Sequence, residues 1–100
     1  MLYSNYKIFN NKNIFITGGT GSFGSFFIKS LLKKNNCKKI ICYSRDELKQ
    51  FNFQNDLKKL DKRSCIRFFI GDVRDQKRLD LALLNNKIDF LFHAAALKQV

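Results

Sequence analysis

Between Thr17 and Gly24 the chain reads Thr17-Gly18-Gly19-Thr20-Gly21-Ser22-Phe23-Gly24, a glycine-rich run that few folds accommodate. It satisfies G-x-G-x-x-G through Gly19, Gly21 and Gly24, and the wider G-x-x-G-x-x-G spacing through Gly18, Gly21 and Gly24. In a strand–turn–helix setting each glycine of such a motif has a mechanical task. One makes the tight turn, one lets the backbone approach a pyrophosphate, and one lets the helix pack closely on the strand. Free amides at the helix start then face the phosphate charge. A turn kept for packing alone is the competing reading, and the flanks argue against it. Ile14-Phe15-Ile16 before the turn is a short apolar run of strand formers, and helical spacing begins at Ser22. No Gly-Lys-Ser/Thr follows at the spacing a P-loop requires.

The rest of the chain continues the alternation. Asn13 to Thr17 is the expected first strand and Ser22 to Lys34 the first helix, with Phe23, Phe26, Phe27, Ser30 and Leu31 as its inner face. Lys39 to Tyr43 is a second strand of the fully covered kind. Ser44-Arg45-Asp46-Glu47 fits a capping box, which starts a second helix at Ser44 with Leu48, Phe51, Leu57 and Leu60 inward. Ile66 to Ile70 reads as a third strand, closed by Gly71-Asp72. Asp75 caps a third helix carrying Leu79, Ala82 and Leu83, and Ile88 to Phe92 is a fourth strand. Strands alternating with helices imply parallel pairing through right-handed crossovers, with helices on both faces. The expected class is α/β: a Rossmann-type, doubly wound parallel sheet of about four strands and three helices in the order 3-2-1-4.

Composition narrows the alternatives. At 45% hydrophobic and 27% charged, the chain has the material for a packed core, which excludes a disordered segment. The net charge of +11 raises the question of nucleic acid, but the cations are scattered. Lys33, Lys34, Lys38 and Lys39 flank the end of one expected helix, and Lys58, Lys59, Lys62 and Arg63 that of another, where cations suit exposed carbonyls. No nucleic-acid partner is expected. Cys37, Cys42 and Cys65 form no C-x-x-C pair and His93 is the one histidine, so no metal site is expected. An odd cysteine count, no signal-like leader and no apolar stretch of membrane-spanning length point to a cytoplasmic protein.

The tip of the second strand, about 20 residues past the turn, is where NAD and NADP binders diverge. Ser44 and Arg45 come first there, a hydroxyl and a forked cation suited to a 2′-phosphate, followed by Asp46, which leaves NAD open. Ser44 has a second reading as a helix cap. Asp72, with Val73 after it, can meet an adenine amino group or serve the turn after Gly71. His93 is read as structural, and the small residues Ala94, Ala95 and Ala96 either make room for a nicotinamide ribose or pack a helix.

Four segments in order carry a family resemblance: TGGTGSFG (17–24), YSRDELKQ (43–50), RFFIGDVRD (67–75) and HAAALKQV (93–100). Together they resemble the polysaccharide-biosynthesis branch of the extended short-chain dehydrogenase/reductases, and within it the inverting UDP-N-acetylglucosamine 4,6-dehydratase type. The resemblance implies NADP as cofactor, contacted by Gly18, Thr20, Gly21, Ser22, Phe23 and Gly24 of the turn. It extends those contacts to Ser44, Arg45, Asp46, Glu47, Leu48 and Lys49, to Asp72 and Val73, and to Ala94. Lys98 matches a position that contacts the nucleotide-sugar substrate, while Gln99 stands where the family usually has His.

The implied reaction is an internal redox cycle on UDP-N-acetylglucosamine. Hydride leaves C4, water is lost across C5–C6, hydride returns to C6, and C5 is inverted. The family's proton-handling groups, a Thr-Asp-Lys stretch and a Tyr-x-x-x-Lys pair, are expected beyond residue 100. The chain is therefore read as an N-terminal extension (1–12) followed by a truncated NADP-binding domain (13–100), inactive alone and homo-oligomeric at full length. Another nucleotide-sugar epimerase or reductase, and a non-catalytic NADP-binding regulator, are the alternatives.

Overall fold

A computed structural model describes residues 7–84 and 86–94. Strands β1 (Asn13–Thr17), β2 (Lys39–Ser44), β3 (Ile66–Ile70) and β4 (Phe90–His93) alternate with helices α1 (Ser22–Lys34), α2 (Glu47–Leu57) and α3 (Gln76–Leu84). The strands are all parallel, in the order β3-β2-β1-β4, as expected.

Side chains alternate across the two central strands, and each face meets its own helices. Ile14, Ile16, Ile40 and Cys42 pack with Ile28 and Leu31 of α1 and Phe53 and Leu57 of α2. Phe15, Ile41 and Tyr43 pack with Ala82 of α3. Both faces are therefore covered, and the sheet is doubly wound. Full burial of an aliphatic or aromatic side chain contributes about 1.5–3 kcal/mol, so the central strands carry much of the stability. The segment before β1 joins the first cluster: the Phe9 ring lies edge-on to Phe27, Phe90 and Phe92 at centroid distances of 6.0, 5.2 and 5.8 Å.

Four local expectations are corrected. Helix α1 buries Gly24, Ile28 and Leu31, whereas Phe23 and Phe26 face outward. The helix lands on the sheet along the side lacking a Cβ at Gly24, and that contact sets which stripe points inward. Helix α2 buries Gln50, Phe53 and Leu57 and leaves Leu48 and Phe51 exposed. Its N-cap is Asp46, whose Oδ1 accepts from the Lys49 amide at 3.0 Å, and Ser44 is not the cap. Ser44 instead continues β2, in register with Ile70 of β3, which delays the helix start. The fourth strand begins at Phe90 rather than Ile88. The Asp89 carboxylate takes the Asn13 amide at 2.8 Å, where a strand ladder would offer a carbonyl. Asp75 does cap α3, accepting from the Arg78 amide at 3.2 Å.

All three cysteines are buried free thiols. Burial pushes the Cys42 thiol from its ordinary 9.0 up to about 12. Burial, assisted by Cys65 nearby, pushes Cys37 up to about 11. The folded state therefore holds these protons more tightly than the unfolded chain. That stabilisation is complete below pH 9 and is lost as pH rises toward 11 to 12. Urea midpoints should accordingly fall between neutral pH and about pH 11, and fall less in a Cys37→Ala/Cys42→Ala variant. Equal falls in both proteins would contradict this account.

Candidate functional site

The strand order reverses direction at β1, which has β2 on one side and β4 on the other. The crossover leaving β1 through α1 lies on one face and the crossover entering its other neighbour β4 through α3 lies on the opposite face. A crevice therefore opens beyond the C-terminal end of β1, the usual ligand site of open α/β sheets. A cleft of about 580 Å³ lies at that point. It is lined by Gly18, Thr20 and Gly21 of the turn, by Tyr43 to Asp46 and Lys49 after β2, by Gly71 to Arg74 after β3, and by His93. The volume is within the range of small-ligand and cofactor sites.

The turn is shaped from its backbone. Gly18 has φ 68°, left-handed and open to glycine at little cost, and its carbonyl accepts from the Gly21 amide at 3.0 Å. Gly21 is the N-cap of α1 and provides no side-chain cap, and no acidic residue lies in the first helical turn. The first amides of a helix have no intrahelical acceptor, and the peptide dipoles give that end a positive potential. Neither a capping oxygen nor a carboxylate competes with an incoming anion. The turn therefore suits a pyrophosphate, as the glycine pattern leads one to expect. Thr17, just before it, sits 2.6 Å from His93 Nδ1 through its Oγ1, which ties β1 to β4 at the rim.

The opposite end of the cleft is polar. Arg45 Nη1 lies 3.4 Å and Arg74 Nη2 2.7 Å from Asp72 Oδ2. Asp72 Oδ1 also accepts from the Arg74 amide at 2.9 Å. The Arg74 side chain and amide, with Arg45 adding a smaller charge effect, hold the Asp72 carboxyl well below the usual carboxylate range. Asp72 thus serves the turn after Gly71 in this geometry. Arg45, Lys49 and Arg74 face Asp46 and Asp72 around the cleft, so cations outnumber carboxylates at this end.

Among the sequence candidates, Gly18, Thr20, Gly21, Ser44, Arg45, Asp46, Lys49, Asp72 and Val73 come together on the cleft wall. Ser22 and Phe23 are exposed in the first turn of α1, and Gly24 is buried beneath the turn. Glu47 and Leu48 point outward from α2. Ala94 is packed in the cluster on the α1 and α2 side of the sheet. Lys98 lies outside the described residues. Sequence reasoning did not single out Tyr43, Gly71, Arg74 and His93 as lining. Gly71 and Arg74 flank Asp72 and Val73, and that adjacency was the available signal. Among the described residues no three His, Cys, Asp or Glu side chains gather as metal ligands, and no helix is long and apolar enough to cross a membrane.

Comparison with known proteins follows the same outline. The family described as polysaccharide biosynthesis protein matches residues 14–100. The "UDP-N-acetylglucosamine 4,6-dehydratase (inverting)" of Campylobacter jejuni (strain 81-176) is 53% identical over 93 residues, which cover 93% of this chain and 26% of the relative. The "UDP-glucose 4-epimerase" of Rickettsia felis is 44% identical over 96 residues, with the same coverage of 93% and 26%. The X-ray structure of Pen from Bacillus thuringiensis superposes with a TM-score of 0.75 at 36% identity, over 86% of this chain and 26% of that one. The chain thus spans about a quarter of the length of the curated relatives it matches, 26% in each case.

Proposed function

Because the chain belongs to the polysaccharide biosynthesis protein family, a branch of the extended short-chain dehydrogenase/reductases, we propose that it is the NADP-binding portion, residues 13–100, of a UDP-N-acetylglucosamine 4,6-dehydratase. The observation that carries this reading is the uncapped start of α1 at the strand switch point, opening into a cleft with Arg45 at its far end. In it, the amides after Gly18 hold the pyrophosphate, and Ser44, Arg45 and Lys49 receive the 2′-phosphate of the adenosine ribose. Asp46 directs Oδ1 to the Lys49 amide as a helix cap, so of its two oxygens only Oδ2 is open to a ribose hydroxyl, which weakens the NAD alternative. Asp72 and Val73 then border the adenine.

The nicotinamide, when bound, supplies reversible oxidation of the sugar at C4. The protein binds and orients both molecules and keeps their reacting atoms in register. Elimination of water with inversion at C5, a lyase reaction overall, falls to the Thr-Asp-Lys and Tyr-x-x-x-Lys groups that the family resemblance implies, while Lys98 contacts the substrate. A cytoplasmic, homo-oligomeric full-length enzyme without a nucleic-acid partner belongs to the same reading.

Calorimetric titration of the chain with NADP and NAD tests the cofactor. NADP should bind more tightly, and Arg45→Ala should weaken NADP about tenfold while leaving NAD nearly unchanged, as for one charged hydrogen bond at an accessible site. Equal affinities in the parent chain would overturn the assignment. For the reaction, NMR of UDP-N-acetylglucosamine incubated with the full-length protein should show a 4-keto, 6-deoxy product. The 44% identity to the Rickettsia protein favours a second reading, 4-epimerisation, in which C6 keeps its hydroxyl and only the configuration at C4 changes.

A further inference from the structure

Helix α2 buries a stripe of Gln50, Phe53 and Leu57, and the one polar member of that stripe is only 4% exposed. Gln50 Nε2 donates to the Ser44 carbonyl at 3.2 Å, to Ser44 Oγ at 2.7 Å and to the Phe69 carbonyl at 3.1 Å. The two backbone carbonyls accept only, so they fix which end of the amide is the nitrogen. Nε2 carries two hydrogens for these three acceptors, one toward the Phe69 carbonyl and one shared by the Ser44 carbonyl and the closer Ser44 Oγ, so Oγ accepts from Gln50 and its own proton must go elsewhere. Ser44 is 7% exposed, yet it lines the cleft beside Arg45. Among the described residues no group accepts its proton.

We infer that Gln50 is a positioning residue that commits the Ser44 hydroxyl to donating into the cleft, and so sets a preference for a phosphorylated over an unphosphorylated ribose. A phosphate oxygen only accepts, so it matches a hydroxyl whose lone pair is already engaged. A ribose hydroxyl can both donate and accept, and gains less from a partner fixed in one role. Gln50 touches no ligand in this scheme and acts through Ser44. The inference rests on the NADP reading of the same cleft and adds the device that enforces it.

The test compares affinities of the full chain for 2′-phospho-ADP-ribose and ADP-ribose, two probes that differ only in the phosphate. The parent should prefer the phosphorylated probe. Gln50→Met keeps the shape without the donor and should reduce the preference about tenfold, one hydrogen bond to a charged acceptor. Ser44→Ala should reduce it by a similar factor. In the Ser44→Ala background, Gln50→Met should add no further loss, since positions acting through one contact are not additive. An unchanged preference in Gln50→Met, or equal weakening of both probes, would overturn the inference and leave the NADP reading standing. If Gln50→Met does not fold, Ser44→Ala decides, and a full preference retained there is equally fatal. A parent chain that binds both probes alike would remove the NADP reading and this inference with it.

Discussion

Replacing Gly24 with alanine is expected to destabilise the chain by about 2–4 kcal/mol, in the range of severe overpacking, and to abolish measurable cofactor binding. A methyl built at Gly24 would lie 2.4 Å from the Gly18 carbonyl oxygen, 2.7 Å from Gly19 Cα and 3.0 Å from Gly19 C. All three are backbone atoms of the turn itself, so no side chain can rotate away to make room. Either α1 lifts off the sheet, losing the packing of Ile28 and Leu31, or the turn is pushed out of shape. An opposing effect exists, because alanine in a helix is favoured over glycine by about 1 kcal/mol. The steric term exceeds it, since distances this short are far inside van der Waals contact and the backbone on both sides is pinned. Urea unfolding and calorimetric titration with NADP together check the expectation. A stability equal to or above that of the parent would show that helix propensity had won and that α1 does not sit on the turn as described.

The second large effect is expected at Gly71, on the other side of the cleft. A methyl there would lie 2.3 Å from Tyr43 Oη, 2.4 Å from Cζ and 2.8 Å from Cε2. Tyr43 is fully buried, and its rigid ring is confined by Phe15 at a centroid distance of 5.5 Å and by Phe69, stacked at 5.7 Å. Its hydroxyl donates to the Asp72 carbonyl at 3.2 Å. Gly71→Ala should therefore cost about 1–3 kcal/mol and shift Asp72 together with its arginine partners. NADP affinity should fall with it. In a Tyr43→Phe background the loss from Gly71→Ala should be smaller, because the shortest contact is gone while the Cζ contact remains. Chemical denaturation of the four proteins of this cycle measures the coupling. Strict additivity would mean that the ring and the glycine are not in contact.

Some of this organisation was legible in the residues alone. Element type and sheet order followed from the chain because the apolar runs, the helical spacing and the glycine turn are local signals that agree with each other. Asp75 was read correctly as a cap for the same reason: a cap satisfies amides two or three residues away, so its logic is local. Which stripe of each helix turns inward was not legible. Helix α1 offers aromatic residues on several sides, and the shifted stripes Gly24-Ile28-Leu31 and Gln50-Phe53-Leu57 have the same period as those expected.

The amino-acid sequence by itself determined the turn, the alternation of strands and helices and the parallel order, since each depends on neighbours along the chain and on the limited ways such units pack. Tertiary structure alone decided that Ser44 stays in β2 and leaves the cap of α2 to Asp46, that Gln50 reaches both Ser44 and the Phe69 carbonyl, and that Arg45 after β2 meets Asp72 after β3. Those choices depend on distances between β2, β3 and α2, segments separated by up to tens of residues. Hydrogen bonds and ion pairs of that kind are fixed by how the layers come to rest on one another, and the spacing of residues along the chain carries no record of it.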